Sequence, residues 1–154
     1  MKFVAFPLFL AVLFGTTANA DGIAISCAYA LSSGPNARVG AAFMTIENTG
    51  AAADRLIAAD SDIAARTELH THIETDDGIV RMRPADDGFT IPARGVRALV
   101  RGGDHIMLMG LTGEFAQGGT VSVTLTFERA GEIVVAIPVG RGGETSPDSL
   151  PCRS

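Results

Sequence analysis

Apolar residues recur along this chain mostly at every second position, the spacing of a strand with one buried face rather than of a helix. Ile23, Ile25, Cys27 and Tyr29 alternate with small residues, and Ser32-Ser33-Gly34-Pro35-Asn36 then breaks the pattern. Val39 to Asn48 is a second strand, closed by Asn48-Thr49-Gly50. Arg55-Leu56-Ile57 is a short third, and Ser61 to Ala65 reads as a single helical turn or a bulged connection. Further segments run over Thr67–Ile73, Ile79–Arg83, Phe89–Ile91, Val96–Val100 and His105–Met109. Between them Asp77-Gly78 and Asp86-Asp87-Gly88 are hairpin signals, because glycine takes positive φ at little steric cost. Thr120 to Phe127 is the cleanest run of period two, with Val121, Val123, Leu125 and Phe127 expected inward. Ile133 to Val139 contains Pro138, which cannot donate to a ladder and so marks an edge strand. Eight or nine short strands, with turn signals about every ten residues, predict an all-β Greek-key sandwich or barrel. No internal repeat, heptad or long amphipathic helix competes with that reading.

The first twenty residues do not belong to this pattern. Lys2 is followed by an almost wholly apolar run from Phe3 to Phe14, and Ala18-Asn19-Ala20 precedes Asp21. That is the layout of a Sec signal peptide, too short in its apolar part for a span of about twenty residues. The expected organisation is therefore a signal peptide over 1–20, a β-sandwich domain over 21–139 and a polar tail over 140–154, with export to the periplasm and no membrane span.

Removing the signal removes the only lysine and leaves 11 Arg against 17 Asp plus Glu, a formal charge of −6. An acidic chain of this kind is a poor candidate for binding nucleic acid or anionic lipid, both of which reward clustered positive charge. Export also decides how to read Cys27 and Cys152, one near each end of the mature chain and with no CxxC. In an oxidising compartment they are expected to form a disulfide, worth about 4 to 5 kcal/mol in the chain-entropy model.

The candidate chemistry lies in the middle. All three histidines and three of the five methionines fall between residues 70 and 109. On a strand, His105, Met107 and Met109 share one face while Ile106 and Leu108 take the other. Upstream, His70 and His72 share a strand face and Met82 follows after a turn. Imidazoles with thioethers, and no cysteine among them, suit copper and above all Cu(I). Thioethers are soft, carry no proton to displace and, unlike thiolates, do not oxidise to disulfides. Met44 has no histidine near it and reads as core filler. Arg81, Arg83, Arg94, Arg97 and Arg101 crowd the same region, either as a solvated strand face or as a docking patch for an acidic partner.

These residues carry a resemblance. ELHTHIETDDGIVRMR, then IPARG, then RGGDHIMLMGL, together with GAAFMTIENTG upstream and VTLTF, AGEI and IPVG downstream, resemble the periplasmic copper chaperones of the PCu(A)C type. Their signature is a His, a Met about a dozen residues on, and a His-x-Met some twenty residues later. The resemblance implies a cupredoxin-like sandwich and a monomer that carries Cu(I) on His70, Met82, His105 and Met107. Eleven residues separate His70 from Met82 and twenty-two separate Met82 from His105. His72, on the same strand face, is the rival for the first position, and Met109 a possible outer thioether. The resemblance further implies delivery of copper to cytochrome c oxidase, with its copper-site subunit and a Sco-type thiol protein as partners. A copper storage or resistance protein is the rival function. No HExxH, Gly-x-Ser-x-Gly or Ser/His/Asp spacing points to an enzyme, and a blue-copper carrier needs a cysteine thiolate that the His/Met region lacks.

Overall fold

The structure is a computed structural model that describes residues 22–140 apart from 33, 35 and 114. The expected signal peptide and nearly all of the expected polar tail, Cys152 included, lie outside the described residues.

Ten strands run in the order β1 Ile23–Ser32, β2 Val39–Asn48, β3 Asp54–Asp60, β4 Ala64–Glu74, β5 Val80–Pro84, β6 Phe89–Ile91, β7 Gly95–Leu99, β8 His105–Leu111, β9 Thr120–Phe127 and β10 Gly131–Pro138. They form two antiparallel sheets in a Greek-key, cupredoxin-like sandwich. One has the order β1-β2-β8-β4-β5, with β7 also paired to β2; the other has the order β10-β9-β3-β6. β2 is shared: Val39 to Ala42 pair with Met109 to Ile106, and Met44 to Asn48 pair with Leu99 to Gly95. The segment from Val100 to Asp104 therefore leaves the sheet where β2 changes partner.

The period-two pattern sorts side chains as expected. Val121, Val123, Leu125 and Phe127 are buried, and they meet Met44, Ile46, Leu99, Ile106 and Leu108 from the other sheet. Each such side chain removed from water contributes about 1.5–3 kcal/mol. Met44 is indeed core. β10 with Pro138 is an edge strand. Between β3 and β4 the chain forms no helical turn: Ser61 closes a tight turn by accepting from Ala64 N–H, and β4 already begins at Ala64. Local composition is ambiguous there, and the pairing of Ala64 with Leu111 settles it. Gly88 follows the Asp86-Asp87 turn with φ of 69°, and a Cβ there would stand 2.2 Å from the Leu56 carbonyl oxygen, so only glycine fits.

Candidate metal centre

This part of the outward face of the first sheet is built by three neighbouring strands, β8, β4 and β5. β8 turns Ile106 and Leu108 into the core, so His105, Met107 and Met109 point outward. Across the β4–β8 ladder His70 stands opposite His105, Glu68 opposite Met107 and Arg66 opposite Met109. Across the β4–β5 ladder His72 stands opposite Met82. Opposed residues of an antiparallel pair share a face, so all three histidines and Met82, Met107 and Met109 lie on one side of the sheet. The rings of His72 and His105 are 5.4 Å apart, and those of His70 and His105 are 5.8 Å apart.

Within this face lies a shallow hollow of about 170 Å³, lined by His72, Met82, His105, Met107, Ala41, Phe43, Arg101 and Gly102. A larger cavity of about 510 Å³, lined by Gly34, Ala37, Leu111, Thr112, Gly113, Phe115 and Ala116, offers no imidazole, sulfur or carboxylate. His70 does not line the hollow. Its Nε2 is 2.8 Å from Glu68 Oε2, and because a carboxylate only accepts, Nε2 carries the proton. Glu68 is in turn 3.0 Å from the Arg66 guanidinium. The hydrogen bond from His70, helped by Arg66, holds the Glu68 carboxyl below its ordinary pKa. Met109 also lies apart from the hollow, its sulfur 3.7 Å from the Arg66 guanidinium.

His105 is the most constrained of these groups. Its Nδ1 is 2.9 Å from the Gly103 carbonyl, so Nδ1 donates and Nε2 is the basic nitrogen of the neutral ring. The turn that supplies this carbonyl is fixed by two main-chain bonds, Val100 N–H to the Asp104 carbonyl and Gly103 N–H to the Val100 carbonyl. It is held further by Asp104, which accepts from Thr71 Oγ1 at 2.7 Å and from Arg97 Nε at 2.9 Å. The Arg97 guanidinium itself lies 5.2 Å over the Phe89 ring. Burial pushes the His105 pKa down, and the neighbouring imidazoles push the same way; the Gly103 bond and Asp104 oppose them. On the β2 side the wall is aromatic, Phe43 packing against Tyr29 at 5.0 Å and His105 at 6.1 Å.

Two polar atoms here lack partners among the described residues: Nδ1 of His70 and Nδ1 of His72 are buried without a hydrogen bond. Such atoms are costly unless something accepts their lone pair or proton. Among the described residues no group of three or more His, Cys, Asp or Glu is arranged to hold a metal ion. The sulfurs of Met82 and Met107 line the hollow beside the two imidazoles, a donor set that matches a soft ion.

The sequence pointed to both methionines and all three histidines. It missed the Glu68–His70 contact, the Arg97–Asp104 support and the wall of Tyr29 and Phe43. Only the adjacency of Asp104 to His105 hinted at any of them.

The fold is that of PCuAC domains. The copper-bound PCuAC domain from PmoF2 superposes with a TM-score of 0.65 at 21% identity, over 78% of this chain and 93% of that one. The Cu(I) form of DR1885 from Deinococcus radiodurans gives a TM-score of 0.61 at 32% identity, over 84% and 87% of the two chains. The family model "Putative lipoprotein LpqE-like" matches residues 23–139, and the chain belongs to that LpqE-like family. A relative, "Putative lipoprotein Lxx21020" of Leifsonia xyli subsp. xyli, is 38% identical over 121 residues, which span 79% of this chain and 71% of the relative.

Proposed function

We propose that this protein carries a single Cu(I) ion outside the cytoplasm and passes it to a copper enzyme under assembly. The observation that carries the reading is the convergence of two imidazoles and two thioethers on one hollow that holds no thiolate or carboxylate. The Cu(I) form of DR1885, 32% identical to this chain, supports it. His105, Met107 and Met82 are the fixed part of the ligand set. For the fourth ligand the family resemblance implies His70, but the hollow favours His72, which lines it where His70 does not.

The residues divide the work. Gly103 and Asp104 hold His105 in the tautomer that offers Nε2, as outer partners of metal-bound histidines generally do. Desolvation keeps that ring unprotonated where a free imidazole would begin to charge, so proton competition is reduced. Met82 is 45% exposed, which leaves one ligand open to displacement by an acceptor. A single site with an exposed ligand serves transfer better than storage, for which many clustered soft ligands are needed.

The expected acceptor is the copper-site subunit of cytochrome c oxidase, working alongside a Sco-type thiol protein, and the expected compartment is the periplasm or its equivalent. A Cys27–Cys152 bridge fits that compartment. Relatives carry lipoprotein names, yet Cys27 follows four residues of β1, Ile23 to Ser26, that pair with β2. That position does not suit a lipid-bearing cysteine at the start of a mature chain.

The test is competition of the mature protein against a chromophoric Cu(I) chelator, followed by mixing with an apo oxidase copper domain. One equivalent of Cu(I) bound, and then transferred, is the expected result. Failure to bind one equivalent, or retention of copper before the apo domain, overturns the reading.

A further inference from the structure

β5 is hydrogen-bonded to β4 on one side and ends its sheet on the other, and all five of its residues are exposed. The β4–β5 ladder determines which main-chain groups stay open. Thr75 N–H bonds the Ile79 carbonyl at 2.9 Å, and Ala85 N–H bonds the Leu69 carbonyl at 2.8 Å. Bonded and non-bonded pairs alternate along an antiparallel ladder, so Arg81 and Arg83 are the residues whose main chain turns toward β4. The N–H and C=O groups of Val80 and Met82 therefore point away, to the free edge. Pro84, which has no N–H, ends this rail at one side, and the acidic turn at Asp76 and Asp77 bounds it at the other.

The side chains of β5 sort by face. Met82 lies on the hollow's side, opposite His72, while Arg81 and Arg83 take the other side opposite Ile73 and Thr71. Arg66 and Arg97 have carboxylate partners; among the described residues Arg81 and Arg83 have none. Exposed apolar side chains surround the strand, namely Ile73, Ile79 and Val80. A second copy of this chain is a poor occupant. Antiparallel self-pairing centred on Met82 would set Arg81 of each copy against Arg83 of the other, and like charges directly opposed are destabilising.

We propose that the copper-transfer partner docks by adding an extended strand to the free edge of β5, with acidic side chains facing Arg81 and Arg83 and a metal-ligating side chain facing Met82. The proposal rests on the Cu(I) reading of the hollow and names the partner's recognition element. Main-chain bonds to Val80 and Met82 supply register, as in other strand-addition complexes. Because opposed residues share a face about 4.5–5.5 Å apart at Cβ, the partner's residue opposite Met82 arrives at the hollow. Copper stays Cu(I) throughout: one bond to the incoming sulfur forms as the bond to the Met82 sulfur breaks, and a thiol ligand gives its proton to solvent.

The test uses isotope-labelled, metal-free mature protein, so its outcome does not depend on copper binding. The probe is the acetylated, amidated peptide Val-Glu-Met-Glu-Val. It is compared with Val-Lys-Met-Lys-Val and with a form of the first peptide N-methylated along its backbone. The expected result is a saturable shift of the Val80 and Met82 amides, roughly tenfold weaker with the lysine peptide and absent with the methylated one. Val80→Pro removes an outward N–H that β4 does not use, so it should abolish the shift with the fold intact; Arg81→Glu with Arg83→Glu should invert the peptide preference. Shifts centred elsewhere, or indifferent to charge and to Val80→Pro, overturn the proposal. Peptide docking by a protein that fails to bind Cu(I) would refute the metal reading instead.

Discussion

His72 and Met82 stand directly opposite each other on the β4–β5 ladder, and both line the hollow that contains His105 and Met107. His70, two residues earlier, points to the same side but does not line the hollow. His72→Ala should therefore lower Cu(I) affinity by more than about tenfold, roughly 1.4 kcal/mol, while His70→Ala costs less. Chelator competition on the two variants decides between them, and the reverse ranking would restore His70 as the ligand.

Met107→Leu keeps bulk and apolarity while removing the sulfur. Its thermal or urea midpoint should move by less than the equivalent of about 1.5 kcal/mol, while Cu(I) affinity falls. Met109→Leu, changed at the methionine beside Arg66, should leave the affinity nearly unaltered.

Support for His105 can be tested without touching a ligand. Arg97→Met removes the guanidinium that holds Asp104, and the 100–104 turn should then present the Gly103 carbonyl less firmly. Loss of such an outer contact commonly costs about 10–100-fold in metal affinity. The diagnostic readout is the His105 ring nitrogens by NMR, where the variant should show mixed tautomers.

Acid should destabilise the metal-free protein through His105. Its folded-state pKa lies below the ordinary value, so between that lowered value and about 6.5 the unfolded chain binds more protons than the folded one. Stability is then fully present above about pH 6.5, falls as pH drops, and stops falling from this cause below the folded value. Urea titrations from neutral to acid pH should show a smaller decline for His105→Phe, whose ring cannot charge.

Asp54 gives a purely structural control. Its buried carboxylate accepts from the main-chain N–H groups of Arg55, Arg129 and Ala130, tying the β9–β10 turn to β3. Asp54→Ala strands these donors and should cost about 1–3 kcal/mol or more in urea unfolding, with Cu(I) affinity per folded molecule unchanged.

Most of the fold was legible because one buried face per strand imposes period two. Val39–Asn48, Phe89–Ile91 and Thr120–Phe127 were bounded correctly by their turn residues. What stayed hidden depended on register. No local pattern says that β2 divides its edge between β7 and β8, or that His72 rather than His70 meets the hollow beside Met82. Alternation put both histidines on one face, and only the neighbouring strands that shape the hollow tell them apart. The Arg97–Asp104 pair, seven residues apart across a turn, was likewise invisible without the turn's geometry.

The divided edge of β2 leaves the 100–104 turn spanning a fixed gap. Its two flanks are anchored on β2 only two residues apart, Ile106 opposite Ala42 and Leu99 opposite Met44, a separation of about 7 Å along a strand. A longer insertion could bridge the same gap without moving either anchor, since doubling a flexible loop costs only about 0.6 kcal/mol. The rim of the hollow can thus diversify, in nature or by grafting, while the framework below it is inherited unchanged.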